Sequence, residues 1–358
     1  MHDVTETIRR ALAAGHLAAP GPGSGHDAVV DVDVRFVPAG DDGNAATPCP
    51  PPGGTQRPRR LESRTFSNAF GTRAYKVHVP AAPAEAPRAM VVMLHGCTQS
   101  ADDFAAGTQM NRLADAHGFL VVYPEQPAHA NASKCWNWFR PQDQARDAGE
   151  PALVAGIVRE VAQQHGVDPR RIFVAGLSAG AAMAVVLGET YPELFAGVGA
   201  HSGLPFGSAH DIPSALAAMK GGRGQPGPAR VPGDAAGARR TGGQAVPVIV
   251  FHGDRDHTVQ QTNGQAIVRQ AQEAHARDAG GGLHVTTQAG LAPGGRRFSR
   301  AVHTDALGRV RIEHWTLHGG GHAWSGGHAS GSYTDGTGPD ASAEMVRFFL
   351  ALPHDGAA

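Results

Sequence analysis

The 358-residue sequence predicts an α/β fold, a mostly parallel central sheet with helices on both faces. Two observations predict it. Five short runs are almost wholly apolar: Met90 to Leu94, Phe119 to Tyr123, Arg171 to Ala175, Phe195 to Ala200 and Val246 to Phe251. Strands that read as unbroken hydrophobic runs are those covered on both faces, as parallel strands are. Between these runs, Asp103 to His117, Pro151 to His165 and Ala179 to Thr190 carry apolar residues at helical spacing, so strand and helix alternate along the chain. With 41% apolar and 18% charged residues, the chain has enough hydrophobic content for one large core.

In chain order, residues 1 to about 16 are expected to form a short helix. Residues 17 to 62 are rich in Ala, Gly, Pro and Asp, with Pro48 to Gly54 at their centre, and read as a flexible leader. Within it, Val30 to Phe36 alternates apolar and charged residues like a strand that docks on the main body. The folded domain is assigned to residues 63 to 352. Thr65-Phe66 and Ala74 to Pro80 read as antiparallel opening strands. Residues 207 to 245 have no clear period and are again rich in Gly, Pro, Ala and Arg, so a low-order surface insertion is expected there. Asp340 to Leu352 reads as a final amphipathic helix.

Composition narrows the partners. A formal net charge of −1 gives no reason to expect nucleic acid or an anionic membrane surface, and a small or neutral substrate fits better. No apolar stretch approaches the roughly 18 residues of a membrane span. The first residues mix acids and bases ahead of a short Ala-Leu-Ala-Ala run, unlike a secretory leader, which makes the cytoplasm the default expectation. Three cysteines, none in a C-x-x-C pair, argue against a structural zinc site. The sequence sets no oligomeric state.

The chemistry is expected at Gly176-Leu177-Ser178-Ala179-Gly180. This Gly-x-Ser-x-Gly follows an apolar strand and runs into a helix, the context of a nucleophile elbow in the α/β-hydrolase fold. Small residues are needed at Gly176 and Gly180 because the sharp turn brings backbone segments together. A serine hydroxyl needs a base, and the base needs an orienting acid. In this fold the acid follows a late strand. His252-Gly253-Asp254-Arg255-Asp256 stands there, with Asp256 preferred and Asp254 as the alternative that caps the turn. Of 20 histidines, His322 is preferred by position, on the Gly319-Gly320-Gly321-His322 loop after a strand over residues 311 to 317. His318 is its rival, expected at the strand end, and His252 is expected to be structural. The oxyanion donors are expected to be the amides of Ala179 and of Cys97, the latter in the loop after the strand ending at Leu94. Cys97 has no evident base and is not read as a nucleophile.

Four segments together closely resemble the polyhydroxybutyrate depolymerase family of esterases, which is related to feruloyl and acetylxylan esterases. They are Leu94-His95-Gly96-Cys97-Thr98-Gln99, Lys134-Cys135-Trp136-Asn137-Trp138-Phe139, Gly176 to Met183, and Gly321-His322-Ala323-Trp324-Ser325-Gly326-Gly327. The resemblance covers about residues 63 to 352. It implies a Ser178, Asp256, His322 triad, a Cys97 oxyanion amide, no cofactor and no metal, and hydrolysis of short-chain hydroxyalkanoate esters or poly(3-hydroxybutyrate)-type polyester. Feruloyl or acetylxylan ester hydrolysis is the alternative. Many members of that family are extracellular, which conflicts with the absence of a leader. Cys97 and Cys135 lie in two of the matched segments, and a disulfide between them would fix the oxyanion loop; reduced thiols are the alternative in a reducing compartment. Trp324, Trp136 and Trp138 stand beside motif residues and are candidates to bind substrate through their aromatic faces, with core packing as the other reading.

Overall fold

The computed structural model describes residues 61–81, 87–222, 245–279 and 282–353. The expected first helix, the Val30 to Phe36 strand and much of the insertion lie outside the described residues.

Ten strands form one sheet in the order β1-β2-β4-β3-β5-β6-β7-β10-β9-β8. β1 (Glu62–Asn68) and β2 (Gly71–His78) are antiparallel to each other, and β2 is antiparallel to β4 (Leu120–Pro124). The centre is parallel: β4, β3 (Arg88–Leu94), β5 (Val167–Leu177), β6 (Gly197–His201), β7 (Val248–Gly253) and β10 (Val310–Leu317). All five apolar runs fall on parallel strands. A far edge completes the sheet, in which β9 (Arg297–Thr304) and β8 (His284–Leu291) return antiparallel beside β10.

Alternation along each central strand feeds two separate cores. Met90, Val92 and Leu94 of β3 join Leu120, Val122, Val248 and Val250 on one face. Ala89, Val91 and Met93 join Val121, Tyr123, Ile249 and Phe251 on the other. The first face is covered by α3 (Gly149–His165), α4 (Ala179–Thr190) and α6 (Thr262–Ala279), and the second by α1 (Ala101–Thr108), α2 (Met110–His117) and α7 (Ala341–Ala351). Neither face could be left to water, because successive side chains of one strand are apolar on both sides.

Two expectations change. The single helix over Asp103 to His117 is two, because Gln109 takes a left-handed conformation (φ 55°) and its amide caps the first at the Ala105 carbonyl. The insertion is not wholly without order. Within it, α5 (Ile212–Met219) is started by a capping box in which Asp211 and Ser214 exchange side-chain and backbone hydrogen bonds.

Candidate active site

The carboxyl ends of parallel strands β3, β5, β7 and β10 open on one edge of the sheet, where α/β folds gather their chemistry. Ser178 ends β5 and begins α4. Its backbone lies at φ 57° and ψ −120°, a region that residues with a Cβ rarely enter. A Cβ on Gly176 would lie 2.4 Å from the Gly180 carbonyl carbon, and one on Gly180 would lie 2.1 Å from the Leu94 carbonyl oxygen. No side chain fits at either position, which is why the turn requires both glycines. The Ser178 amide donates to the His201 carbonyl (2.9 Å), tying the turn to β6.

The loops after β7 and β10 bring Asp256 and His322 together. His322 Nδ1 lies 2.7 Å from Asp256 Oδ2, and the other carboxylate oxygen accepts the Val259 amide at 2.8 Å and the Thr258 amide at 3.0 Å. Burial alone would push this carboxyl up. The His322 and His252 rings and the Val259 amide outweigh it and hold Asp256 below the ordinary carboxylate range. An ionised carboxylate only accepts, so Nδ1 carries the ring proton and Nε2 of His322 is free to take one. His252, fully buried, donates Nε2–H to the Val259 carbonyl (2.8 Å) and closes the acid loop; burial pushes its pKa down and keeps it neutral.

The rivals also meet one another. His318 Nδ1 stands 3.1 Å from Asp254 Oδ2, while Asp254 Oδ1 accepts the Gly319 amide at 2.7 Å. Asp254 thus caps the turn after β10.

Ser178, His322, Ala179 and Cys97 line one cleft of about 730 Å³, open to solvent. Among the described residues no hydrogen bond joins Ser178 Oγ to the imidazole. Such contacts are commonly long before substrate binds. Among the same residues neither the Cys97 nor the Ala179 amide donates elsewhere. The loop carrying Cys97 is held on several sides. Gly96 donates to Gln99 Oε1 (2.9 Å), Thr98 donates to the Ser133 carbonyl (2.7 Å), and Cys97 is disulfide-bonded to Cys135. Beneath it, buried His95 places Nδ1 at the Gly96 carbonyl (2.7 Å) and Nε2 under the Gln126 amide (3.0 Å), and burial lowers its pKa to about 4.

The three tryptophans separate. Trp138 lines the cleft. Trp136 and Trp324 do not, and here the expectation of substrate-binding faces is corrected. Trp136 is 0% exposed with its indole N–H on the His95 carbonyl (3.1 Å), a position behind the oxyanion loop. Trp324 is 1% exposed, stacks on His201, meets Phe104 edge-on and donates to Ser342 Oγ (3.0 Å). An indole that has both a core to fill and a buried acceptor has no face left for a ligand. The cleft is walled instead by residues the sequence did not single out: Ile212, Leu216 and Met219 on α5, Leu204, Val259 and Tyr333. The Ala-rich α5 sat in a Gly- and Pro-rich stretch whose period was hidden. Among the described residues no group of three or more His, Cys, Asp or Glu could hold a metal, and no helix is long and apolar enough to cross a membrane.

Comparison with known proteins places the chain in a family. A poly(3-hydroxyalkanoate) depolymerase C of Paucimonas lemoignei is 37% identical over 251 residues, covering 68% of this chain and 57% of that protein. A poly(3-hydroxybutyrate) depolymerase of Ralstonia pickettii is 28% identical over 309 residues, covering 82% of this chain and 60% of that protein. This chain thus spans less than two thirds of the length of either relative. The structure of an acetyl xylan esterase from Aspergillus awamori superposes with a TM-score of 0.61 at 19% identity, over 82% of this chain and 99% of that one, and shares the α/β-hydrolase fold. The model of the family described as "Esterase PHB depolymerase" matches residues 73–284, a span that holds Ser178 and Asp256 and more than half of the chain, and the chain belongs to that family.

Proposed function

We propose that the chain is a serine carboxylic-ester hydrolase that works through an acyl-enzyme, with residues 63 to 352 as its catalytic domain. The observation that carries this reading is the placement of Ser178, on a positive-φ turn at a helix N-terminus, in the same cleft as a His322 ring whose tautomer is set by buried Asp256. In the reaction, His322 Nε2 takes the Ser178 proton as Oγ attacks the ester carbonyl. Asp256 stabilises the resulting imidazolium. The Cys97 and Ala179 amides receive the oxyanion, and the His322 proton passes to the leaving alkoxide. Water then attacks the acyl-serine by the same route. No step needs a cofactor.

The cleft wall is apolar, with Leu204, Leu216, Met219 and Val259 as its aliphatic part and Trp138 and Phe139 as its aromatic part. Such an apolar wall accepts the short hydrocarbon of a hydroxyalkanoate ester, as monomer ester or as an end of poly(3-hydroxybutyrate)-type polyester, and the family supports that substrate class. The disulfide supports work in an oxidising compartment. The test is a panel of short-chain nitrophenyl esters, feruloyl and acetylxylan esters and polyhydroxybutyrate film, run beside Ser178→Ala. Turnover of short-chain esters with film clearing, both abolished in the variant, is expected. Fast feruloyl or acetylxylan turnover without film clearing would move the reading to plant-polysaccharide esters.

A further inference from the structure

Asp254 and His318 belong to a longer chain of hydrogen bonds than a turn cap requires. Ser299 lies on β9 opposite Thr316 of β10, and the His318 amide donates to the Arg297 carbonyl (2.9 Å), so Ser299 and His318 stand side by side where the two strands end. Ser299 Oγ is 2.8 Å from His318 Nε2, and His318 Nδ1 is 3.1 Å from Asp254 Oδ2. Asp254 is held in turn by the Gly319 amide on its other oxygen (2.7 Å), and Arg296 fixes the backbone of His318 by donating Nη1–H to its carbonyl (3.1 Å). An ionised carboxylate at Nδ1 leaves Nε2 as the acceptor, and the serine is then the donor. The order of atoms, hydroxyl to Nε2 and Nδ1 to carboxylate, is the one that activates a serine.

From this constellation we infer a second nucleophilic site, Ser299 with His318 as base and Asp254 as orienting acid, that takes up acyl groups from activated esters of small carboxylic acids. The step balances without any further reagent. Ser299 Oγ forms a bond to the carbonyl carbon while His318 Nε2 takes its proton; the bond from that carbon to the leaving oxygen breaks, and the proton passes from Nε2 to that oxygen. Ser299 is left as an ester. The His318 and Asp254 side chains are 40% and 32% exposed, and Ser299 lies within strand β9 rather than at the start of a helix. Solvent weakens each charge in such a place, and one missing oxyanion donor alone slows acyl transfer about 10²–10³-fold. The site therefore suits good leaving groups such as aryloxides, and acylates more slowly than Ser178.

The test uses full-length Ser178→Ala with excess p-nitrophenyl acetate, followed by peptide mass mapping. One acetyl group on Ser299 is expected, absent in Ser178→Ala/Ser299→Ala and formed at least about 10-fold more slowly in Ser178→Ala/His318→Ala or Ser178→Ala/Asp254→Asn. An unmodified Ser299, or acetylation that ignores His318 and Asp254, would overturn the inference. Burst release of nitrophenol by the unmutated chain, read in parallel, reports on Ser178 separately, so one site can fail without the other.

Discussion

Two Asp–His pairs hang from the same two loops, Asp256 with His322 and Asp254 with His318, only two and four residues apart in sequence. Their bond lengths are similar, 2.7 and 3.1 Å. Their surroundings are not. The side chains of Asp256 and His322 are 0% and 11% exposed, and His322 opens on an apolar cleft that holds a positive-φ serine and two free amides. The side chains of His318 and Asp254 are 40% and 32% exposed and face a serine in regular strand. Hydrogen-bond order can therefore recur on a surface, whereas burial and the oxyanion donors occur at one place. The difference teaches that charge stabilisation by buried partners and oxyanion donors, rather than the triad pattern alone, should decide the rate.

Breaking the buried set should produce the largest effect. Ser178→Ala and His322→Ala are each expected to lower kcat on a short-chain nitrophenyl ester by about 10⁴–10⁶-fold, and Asp256→Asn by about 10⁴-fold through the wrong tautomer. Steady-state kinetics with active-site titration checks this; a loss under tenfold would remove Asp256 from its assigned role. Next, Trp324→Ala should destabilise the protein by about 3–5 kcal/mol in urea unfolding with KM little changed, whereas Trp138→Ala, which removes a buried side chain that also lines the cleft, should both destabilise and raise KM. A smaller effect is expected from Cys97→Ala/Cys135→Ala. The bridged residues are 38 apart, and opening such a loop costs about 3–4 kcal/mol in the chain-entropy treatment. The variant should also turn over more slowly, because the Cys97 amide loses an anchor; unchanged kcat would separate the disulfide from catalysis.

Smaller again is the effect of pH on stability. His95 and His201 are buried with pKa values lowered to about 4 and about 3, so folding keeps them neutral while the unfolded chain binds protons below about 6.5. Stability present above that pH should fall as pH drops toward 4. Asp256 is likewise depressed in the folded state, so its contribution is complete above its ordinary value near 4 and is lost only below it. Thermal unfolding curves of the unmutated chain and Asp256→Asn should then run parallel above about pH 4 and converge below it. Convergence beginning at neutral pH would contradict the assignment. The smallest effect belongs to the exposed pair. Asp254→Asn should change hydrolysis at Ser178 by less than about threefold, as surface ion pairs contribute little.

Much of this comparison was legible in the sequence. Strand β5 running into Gly176 to Gly180 announced the turn, while the preference for Asp256 over Asp254 rests on the His-Gly-x-x-Asp-x-x-Val pattern typical of such loops and that for His322 over His318 on its place on a late loop. The central strands were readable because both of their faces are buried, which removes polar residues from the pattern. Strands β8 and β9 were not, because β8 is almost wholly exposed and its Thr, Gln and Gly carry no burial signal. Ser299 was equally invisible, since its neighbour His318 is nineteen positions of ordinary-looking chain away until β9 and β10 pair. Trp324 misled because an indole next to a reactive histidine has the same sequence signature whether it faces ligand or core. Only the buried Ser342 acceptor and the His201 stack distinguish them.

The backbone of Ser178 has a consequence for the protein's tolerance to change. A residue with a Cβ held at φ 57° and ψ −120° costs of order 1–3 kcal/mol, and the rest of the fold supplies that energy. Ser178→Gly, which sheds both the hydroxyl and the strain, should melt at or above the temperature of the unmutated chain while Ser178→Ala should not. Selection for heat resistance alone would therefore tend to erode the nucleophile first, and a thermostability screen of this chain needs an activity readout beside it.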